Sequence, residues 1–162
     1  MRIRFLMDIV LIRHGKPTSA DNPVLNAYEY TKWIRRYNWS DVANNSRPEN
    51  IDENINSCYV VSSDLNRAIH SANIYTGQPP KEISKIYREM EIPRYKLPCR
   101  LKAFTWVYLC RVFWLLGYKG SFESFQLAKF RAELAADKLI ILATEKGKVV
   151  LFGHGYMNFY IR

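Results

Sequence analysis

The apolar positions of this chain fall into short continuous runs and longer stripes at helical spacing. Continuous apolar runs rich in β-branched residues predict strands that are buried on both faces. Four such runs occur, at 8–13, 58–62, 83–87 and 148–152. We expect the run at 8–13 to form a central strand of a parallel sheet.

The first helical stripe follows a capping signal. Asn26 precedes the stripe and Glu29 stands three residues later, a spacing that is typical of a capping box. The stripe itself consists of Tyr30, Trp33, Ile34 and Tyr37. Its spacing of three and four residues predicts an amphipathic helix. A polar stretch at 44–56 then predicts a surface loop.

Three more helices are predicted further along the chain. An apolar stripe at 65–72 predicts a helix after the second strand, with Ser63 or Asp64 as its cap. The segment 103–116 is apolar on nearly all sides, which favours a buried helix. A long helix is predicted over 121–144.

Strands that alternate with helices predict the architecture. They indicate an α/β fold in three layers, α/β/α, with a largely parallel central sheet. We expect residues 1–162 to form a single domain, with a helical, lid-like insertion around 95–120. In sheets of this kind, ligands bind at the carboxyl ends of the strands.

The composition is that of a folded chain with a positive surface. Of its 162 residues, 48% are hydrophobic, and the formal net charge is +9. Such a charge favours anionic partners, which include phosphate esters, nucleic acids, acidic proteins and anionic membranes. A solvated basic surface without a specific partner is an equally good reading. Three cysteines at spacings without a metal or redox pattern, and no recognisable secretory signal, favour a cytoplasmic protein.

Several basic side chains are predicted to meet at one edge of the sheet. Arg13 and His14 end the first strand, and His154 follows the last one. Arg67 lies in the first turn of the helix that follows the second strand. Taken by itself, Arg67 is equally compatible with a surface position on this helix, where it would pair with Asp64. Their joint occurrence at strand ends is what suggests a site for an anion.

The segments that carry these residues resemble the histidine phosphatase superfamily, which is also called phosphoglycerate mutase-like. The resemblance rests on five segments in the family's order, spread over almost the whole chain: Leu11-Ile12-Arg13-His14-Gly15, Ser62-Ser63-Asp64-Leu65-Asn66-Arg67-Ala68, Tyr87-Arg88-Glu89-Met90-Glu91, Gly120-Ser121-Phe122-Glu123-Ser124 and Val149-Val150-Leu151-Phe152-Gly153-His154-Gly155. A phosphoglycerate mutase-like fold is therefore expected. The resemblance also implies a further helix and another strand after His154, where only eight residues follow, so a truncated C-terminus is one reading.

The resemblance implies a role for each of these residues. His14 is expected to be the nucleophile of a phosphatase that hydrolyses a phosphate monoester through a phosphohistidine intermediate. Arg13, Arg67 and His154 are expected to bind the phosphoryl oxygens, and guanidinium groups suit that geometry. His154 is also counted with the catalytic residues. Glu89 is implied as the general acid. Glu91, two residues away, shares a face with Glu89 in an extended segment, so spacing cannot separate them.

Two other functions are compatible with the same residues. One is phosphoglycerate mutase-like phosphoryl transfer, and the other is a non-catalytic module that binds a phosphorylated ligand. In each case the expected partner is a small anionic phosphorylated compound, with a phosphoprotein as the alternative, and no nucleic acid. We expect no cofactor and no metal, because no cluster has the spacing of metal ligands.

The helix at 103–116 has an open role. Its apolar run is interrupted by Arg111 and is shorter than the roughly 20 residues of a membrane span. It is expected to belong to the core or to a lid over the pocket. The alternatives are burial in a dimer and contact with a membrane surface.

Overall fold

The structure is a computed structural model that describes residues 8–43, 45–46, 55 and 57–162. Its centre is a parallel sheet of four strands, β1 (Asp8–Arg13), β3 (Tyr59–Ser63), β4 (Glu82–Ser84) and β6 (Lys148–Gly153). The strands lie in the order β1-β6-β3-β4. Two short strands, β2 (Val24–Leu25) and β5 (Leu101–Lys102), form a separate antiparallel pair. The loop predicted at 44–56 falls almost wholly outside the described residues.

Helices cover both faces of the sheet. α2 (Asn66–Thr76) packs on one face, where Val60, Val150 and Phe152 point. α4 (Phe125–Lys146) and α5 (Gly155–Ile161) pack on the other, where they bury Val61 and Leu151. Alternate residues of β3 and β6 thus face opposite helices, as the pleat of a strand requires. The predicted three-layer α/β/α fold is confirmed.

A second apolar cluster lies beside the sheet. It joins α1 (Ala27–Trp39) to α3 (Ala103–Leu115) through aromatic side chains. Tyr30 and Trp106 stack at 5.2 Å between ring centroids. The expected capping box of α1 is present: Asn26 accepts from Glu29 N, and the Glu29 carboxylate accepts from Asn26 N. The predicted helix at 103–116 is also present, one residue shorter.

The prediction that β1 is a buried central strand is wrong. Among the described residues β1 is the edge strand beside β6, and Ile9 and Val10 are 38% and 45% exposed. Continuous apolarity predicts burial on both faces, but α2 packs mainly on β3 and β6, and Ile12 of β1 lies at the margin of that cluster. An apolar run cannot reveal which of two neighbouring strands the helix covers.

Two predicted element boundaries are also wrong. The strand expected at 83–87 is β4 at Glu82–Ser84 followed by a 3-10 helix at Lys85–Tyr87, which the Ser84 hydroxyl caps. The helix expected from residue 121 begins at Phe125, because the Ser124 hydroxyl accepts from Leu127 N and acts as the cap.

Within the described part of the chain, none of the helices combines the length and the apolar character that a membrane span requires.

Candidate active site

His14 follows the carboxyl end of β1 and is 7% exposed. Its Nδ1 lies 2.6 Å from the carbonyl oxygen of Gly15, and its Nε2 lies 3.1 Å from Nε of Arg67. A carbonyl oxygen can only accept and a guanidinium N–H can only donate. Both partners therefore require the same tautomer, in which Nδ1 carries the proton and Nε2 presents its lone pair. That lone pair is the group that a nucleophilic histidine needs.

The surroundings of His14 keep its ring neutral. Burial lowers the pKa of His14 to about 4, the Gly15 carbonyl opposes this shift, and the charges of Arg67 and Arg13 add to it. At neutral pH the ring is therefore uncharged, and the nucleophilic nitrogen is not blocked by a proton.

Arg67 is a buried cation that forms no ion pair with any carboxylate among the described residues. It is 1% exposed, and its Nη1 donates to the carbonyl oxygens of Tyr37 and Asn38 at 3.2 and 3.1 Å. These carbonyls lie in the last turn of α1, the negative end of the helix dipole. Burial lowers the pKa of this guanidinium, although Tyr37 and Glu89 oppose the shift. Neutral acceptors thus hold the Arg67 guanidinium without cancelling its positive charge, which therefore attracts an anion.

The alternative pairing of Arg67 with Asp64 is wrong. Asp64 accepts two hydrogen bonds from Arg88 instead. Neither Ser63 nor Asp64 caps α2, because the residue at the cap position is Leu65. The Ser63 hydroxyl accepts from Leu65 N at 3.2 Å and also contacts His154.

His154 lies beside His14, with 5.0 Å between the ring centroids, and is fully buried. Burial lowers its pKa well below the ordinary value, and the charge of Arg67 contributes to the shift. Its Nε2 is 2.7 Å from the Ser63 hydroxyl. If that hydroxyl donates, the single ring proton is on Nδ1, a buried atom for which the described residues provide no partner. Nδ1 would then be an unused donor next to His14.

Arg13 lies at the same end of the sheet. A Cβ atom added to Gly155 would come within 3.4 Å of the Arg13 side chain, so the lack of a side chain at Gly155 leaves room for it. The Arg13 charge also lowers the pKa of both His14 and His154, which places it close to the two rings. The four basic residues that were predicted to converge do lie together.

Glu89 and Glu91 have different surroundings. Oε1 of Glu89 accepts from Met90 N and Met157 N at 3.0 and 2.9 Å, and Oε2 accepts from Tyr156 N at 3.4 Å. Glu91 pairs with Arg94 at 2.6 Å and accepts from Glu123 N at 2.8 Å. Both carboxylates line a cleft with a volume of about 700 Å³. Glu91 is held by Arg94 and by the backbone at Glu123, whereas Oε2 of Glu89 has a single long contact, with Tyr156 N.

Arg111 was missed as a part of the site. It is 8% exposed and lies between the rings of Trp114 and Tyr156, at 4.5 and 4.6 Å from their centroids. Its Nη2 donates to the Met90 carbonyl at 2.6 Å, next to Glu89. Burial lowers its pKa, and the charge of Glu89 is the main opposing influence. The signal in the sequence was a single charge inside an otherwise apolar helix.

The cleft that holds Glu89 extends along the carboxyl end of the sheet. Its walls carry both signs of charge and one exposed indole, and they consist of Asn38, Trp39, Asp64, Leu65, Asn66, Lys85, Arg88, Glu89, Met90, Glu91, Ile92, Glu123 and Arg131. The histidines are not among these residues, but Asn38 contacts Arg67 directly. The described residues contain no cluster of three metal-ligating side chains.

The low pKa of His14 predicts a pH-dependent stability. In the unfolded chain the ring titrates near its ordinary value of 6.5, and in the folded protein near 4. This contribution is therefore fully present above about pH 6.5 and is lost as the pH falls towards 4. Between about pH 7 and about pH 4.5 it amounts to about 2 kcal/mol.

The measurement is urea unfolding of the wild type and of His14→Gln at both pH values. The free energy of unfolding should fall by about 2 kcal/mol more in the wild type than in the variant. His154 titrates in both proteins, so the comparison isolates His14. An equal fall in both proteins would show that His14 is not held neutral by the fold.

The comparisons with known proteins concern the fold. Neither protein-family models nor curated protein sequences yield a match. Solved structures do. The open reading frame Rv3214 of Mycobacterium tuberculosis superposes with a TM-score of 0.61 and 15% identity, over 94% of this chain and 76% of that one.

Two more structures are similar. A proposed alpha-ribazole-5'-P phosphatase of Escherichia coli has a TM-score of 0.57 and 18% identity, over 91% of this chain and 73% of that one. TTHB049 of Thermus thermophilus has a TM-score of 0.52 and 19% identity, over 93% of this chain and 80% of that one. These likenesses show that the chain has a phosphoglycerate mutase-like fold.

Proposed function

We propose that this chain is a phosphatase that hydrolyses a phosphate monoester through a phosphohistidine on His14. The observation that carries the proposal is the pair of contacts that fixes the His14 ring, with its proton on Nδ1 held by the Gly15 carbonyl and its Nε2 lone pair accepting from Arg67 Nε. Arg67 Nε occupies that lone pair in the absence of substrate. An incoming phosphoryl group takes over this donor, so that one oxygen meets Arg67 while phosphorus meets Nε2.

The first chemical step transfers the phosphoryl group to the protein. Nε2 of His14 attacks phosphorus in line, the bond from phosphorus to the ester oxygen breaks, and a bond from phosphorus to nitrogen forms. Arg13, Arg67 and Nδ1 of His154 stabilise the charge on the phosphoryl oxygens. Glu89, protonated on Oε2 in the substrate complex, donates its proton to the leaving oxygen.

The second step returns the protein to its first state. Glu89 takes a proton from water, whose oxygen attacks phosphorus and displaces Nε2 of His14. The products are the alcohol and inorganic phosphate. Every group in this cycle belongs to the chain itself.

The cleft supports a small substrate. A volume of about 700 Å³ is typical of a small-molecule site. Asp64 and Arg88 pair with each other, as do Glu123 and Arg131, so its walls offer little excess positive charge for a second phosphate. A phosphate monoester with an uncharged polar leaving group fits best, and a phosphorylated side chain of a protein is the alternative. The Escherichia coli structure is also described by action on a phosphate monoester.

Arg67→Ala tests the phosphoryl site. The change removes a buried, charge-assisted donor. We expect kcat/KM to fall by the factor that corresponds to a loss of about 2–4 kcal/mol of transition-state stabilisation. The measurement is kcat/KM with an aryl phosphate. Arg36→Ala is the matched control, because Arg36 is an exposed arginine that pairs with Asp21. If both variants keep full efficiency, Arg67 does not bind the phosphoryl group.

His14→Ala, Glu89→Gln and Glu91→Gln separate the nucleophile from the acid. Loss of His14 should abolish both turnover and covalent labelling. Glu89→Gln should slow phosphorylation by an alkyl phosphate about 10²–10⁴-fold, because an alkoxide needs the proton, while an aryl phosphate suffers much less. Glu91→Gln should change neither substrate strongly.

Rapid-quench detection of acid-labile label measures all three variants with both substrates. A leaving-group effect that follows Glu91 instead of Glu89 would reassign the acid. Label that persists in His14→Ala would exclude the proposed nucleophile. If the wild type binds an aryl phosphate but forms no label and does not turn it over, the chain is a non-catalytic binding module. If the label is transferred only to a second alcohol, the chain is a mutase.

A further inference from the structure

The outer face of α3 is an exposed apolar surface. It consists of Tyr108, Val112, Leu115 and Leu116, which are 74%, 51%, 43% and 70% exposed. The spacing of four, seven and eight residues puts all four side chains on one side of the helix. This side is called the α3 face below. Such a patch of large apolar side chains on one helix is typical of an interaction site.

The opposite side of α3 fixes its orientation. Ala103, Trp106, Cys110 and Trp114 are buried against the rest of the protein. The indole N–H of Trp106 donates to the Leu25 carbonyl at 2.8 Å, and that of Trp114 donates to the Glu123 carbonyl at 2.7 Å. The helix cannot turn its outer residues inwards without breaking these contacts. The α3 face therefore stays directed to the outside.

Charge distinguishes this region from the rest of the surface. Between Glu91 and Glu123 the sequence contains no acidic residue, and its six basic residues are Arg94, Lys96, Arg100, Lys102, Arg111 and Lys119. Lys102 occupies the N-cap position of α3, and Lys119 follows the end of the helix. Both are exposed, as is Lys96.

The acidic residues near the start of α3 are neutralised. Glu29 pairs with Arg100 at 3.4 Å, and Asp21 pairs with Arg36 at 2.8 Å. The α3 face is therefore an apolar strip on a helix with a lysine at each end, and the described acids near the start of that helix are paired.

A second exposed apolar stripe provides a comparison. On α4 the side chains of Leu127, Phe130 and Ile141 are 61%, 58% and 58% exposed. The same helix carries the exposed acids Glu133 and Asp137. Apolar exposure is thus common to both helices, and α4 also carries the exposed Lys129 and Lys146. The difference is that α4 has acidic residues among its basic ones, whereas the sequence around α3 has basic residues only.

We propose that the α3 face binds the surface of an anionic phospholipid membrane. Tyr108, Val112, Leu115 and Leu116 enter the boundary between headgroups and acyl chains, and Lys102 and Lys119 contact the lipid phosphates. The helix lies in the plane of the surface, since its 13 residues reach about 20 Å, less than the roughly 30 Å of the hydrocarbon core. A second copy of the chain fits less well, because a twofold axis through this face would bring like-charged lysines together.

Co-sedimentation of the full chain with phosphatidylcholine vesicles, with and without phosphatidylserine, tests the proposal. The wild type should bind the vesicles that contain phosphatidylserine and should bind the neutral ones at least tenfold less. Val112→Ser with Leu116→Ser should reduce binding at least tenfold. Lys102→Gln with Lys119→Gln should reduce it about fivefold for each lysine. The matched control is Leu127→Ser with Ile141→Ser on α4, which should bind like the wild type.

Several results would overturn the proposal. They are no binding to phosphatidylserine vesicles, equal binding to neutral ones, equal loss in the α4 control, or no loss in either α3 variant. Sedimentation velocity without vesicles adds another arm: a dimer that the Val112 and Leu116 changes dissociate, with no vesicle binding, would assign the face to a second copy. The lysine variant changes only exposed charges, so it decides the question if the apolar variant does not fold.

Discussion

The burial of the Arg67 charge is the constraint on which the site depends. A guanidinium taken out of water is costly unless it is paired, and none of the described carboxylates forms an ion pair with Arg67. Two carbonyls at the end of α1 and the lone pair of His14 hold it instead. Helix α1, the end of β1 and the first turn of α2 must therefore keep their relative positions. Burial keeps both histidines neutral, and the Arg67 charge adds to that effect.

Backbone groups position the other reactive side chains. The Gly15 carbonyl holds His14, and Gly15 N donates to the Ser71 hydroxyl, which donates in turn to the Arg67 carbonyl. Amide groups at the start of α5 hold Glu89. Such partners have no side-chain freedom to lose, so the site is organised before any substrate binds. Arg111 extends this arrangement, since it joins the inner side of α3 to the backbone next to Glu89.

The parts of the fold that could be predicted depended on local signals. The capping box at Asn26 and Glu29 fixed the start of α1, and the apolar runs located β3 and β6. The position of β1 at the edge could not be predicted, because it depends on which strands pair with one another, and an apolar run does not show that. By residue type, Ser63 was as suitable an N-cap of α2 as Asp64. Its hydroxyl, however, contacts His154, a residue 91 positions away. The site followed the same rule. Arg13, His14, Arg67 and His154 stand at element ends that parallel strands bring together, whereas the contacts that distinguish Glu89 from Glu91 come from α5.

The proposed mechanism depends on the protonation state of His14, which ¹⁵N spectra of the histidine rings measure. The chain has three histidines, of which His14 and His154 are buried, whereas His70 is exposed and contacts Asp41. We expect His14 to be neutral with its proton on Nδ1 from neutral pH down to about pH 5, and phosphorus to be bound to Nε2 in the phosphoenzyme. A His14 ring that titrates near 6.5, or that carries its proton on Nε2, would rule out the proposed nucleophile.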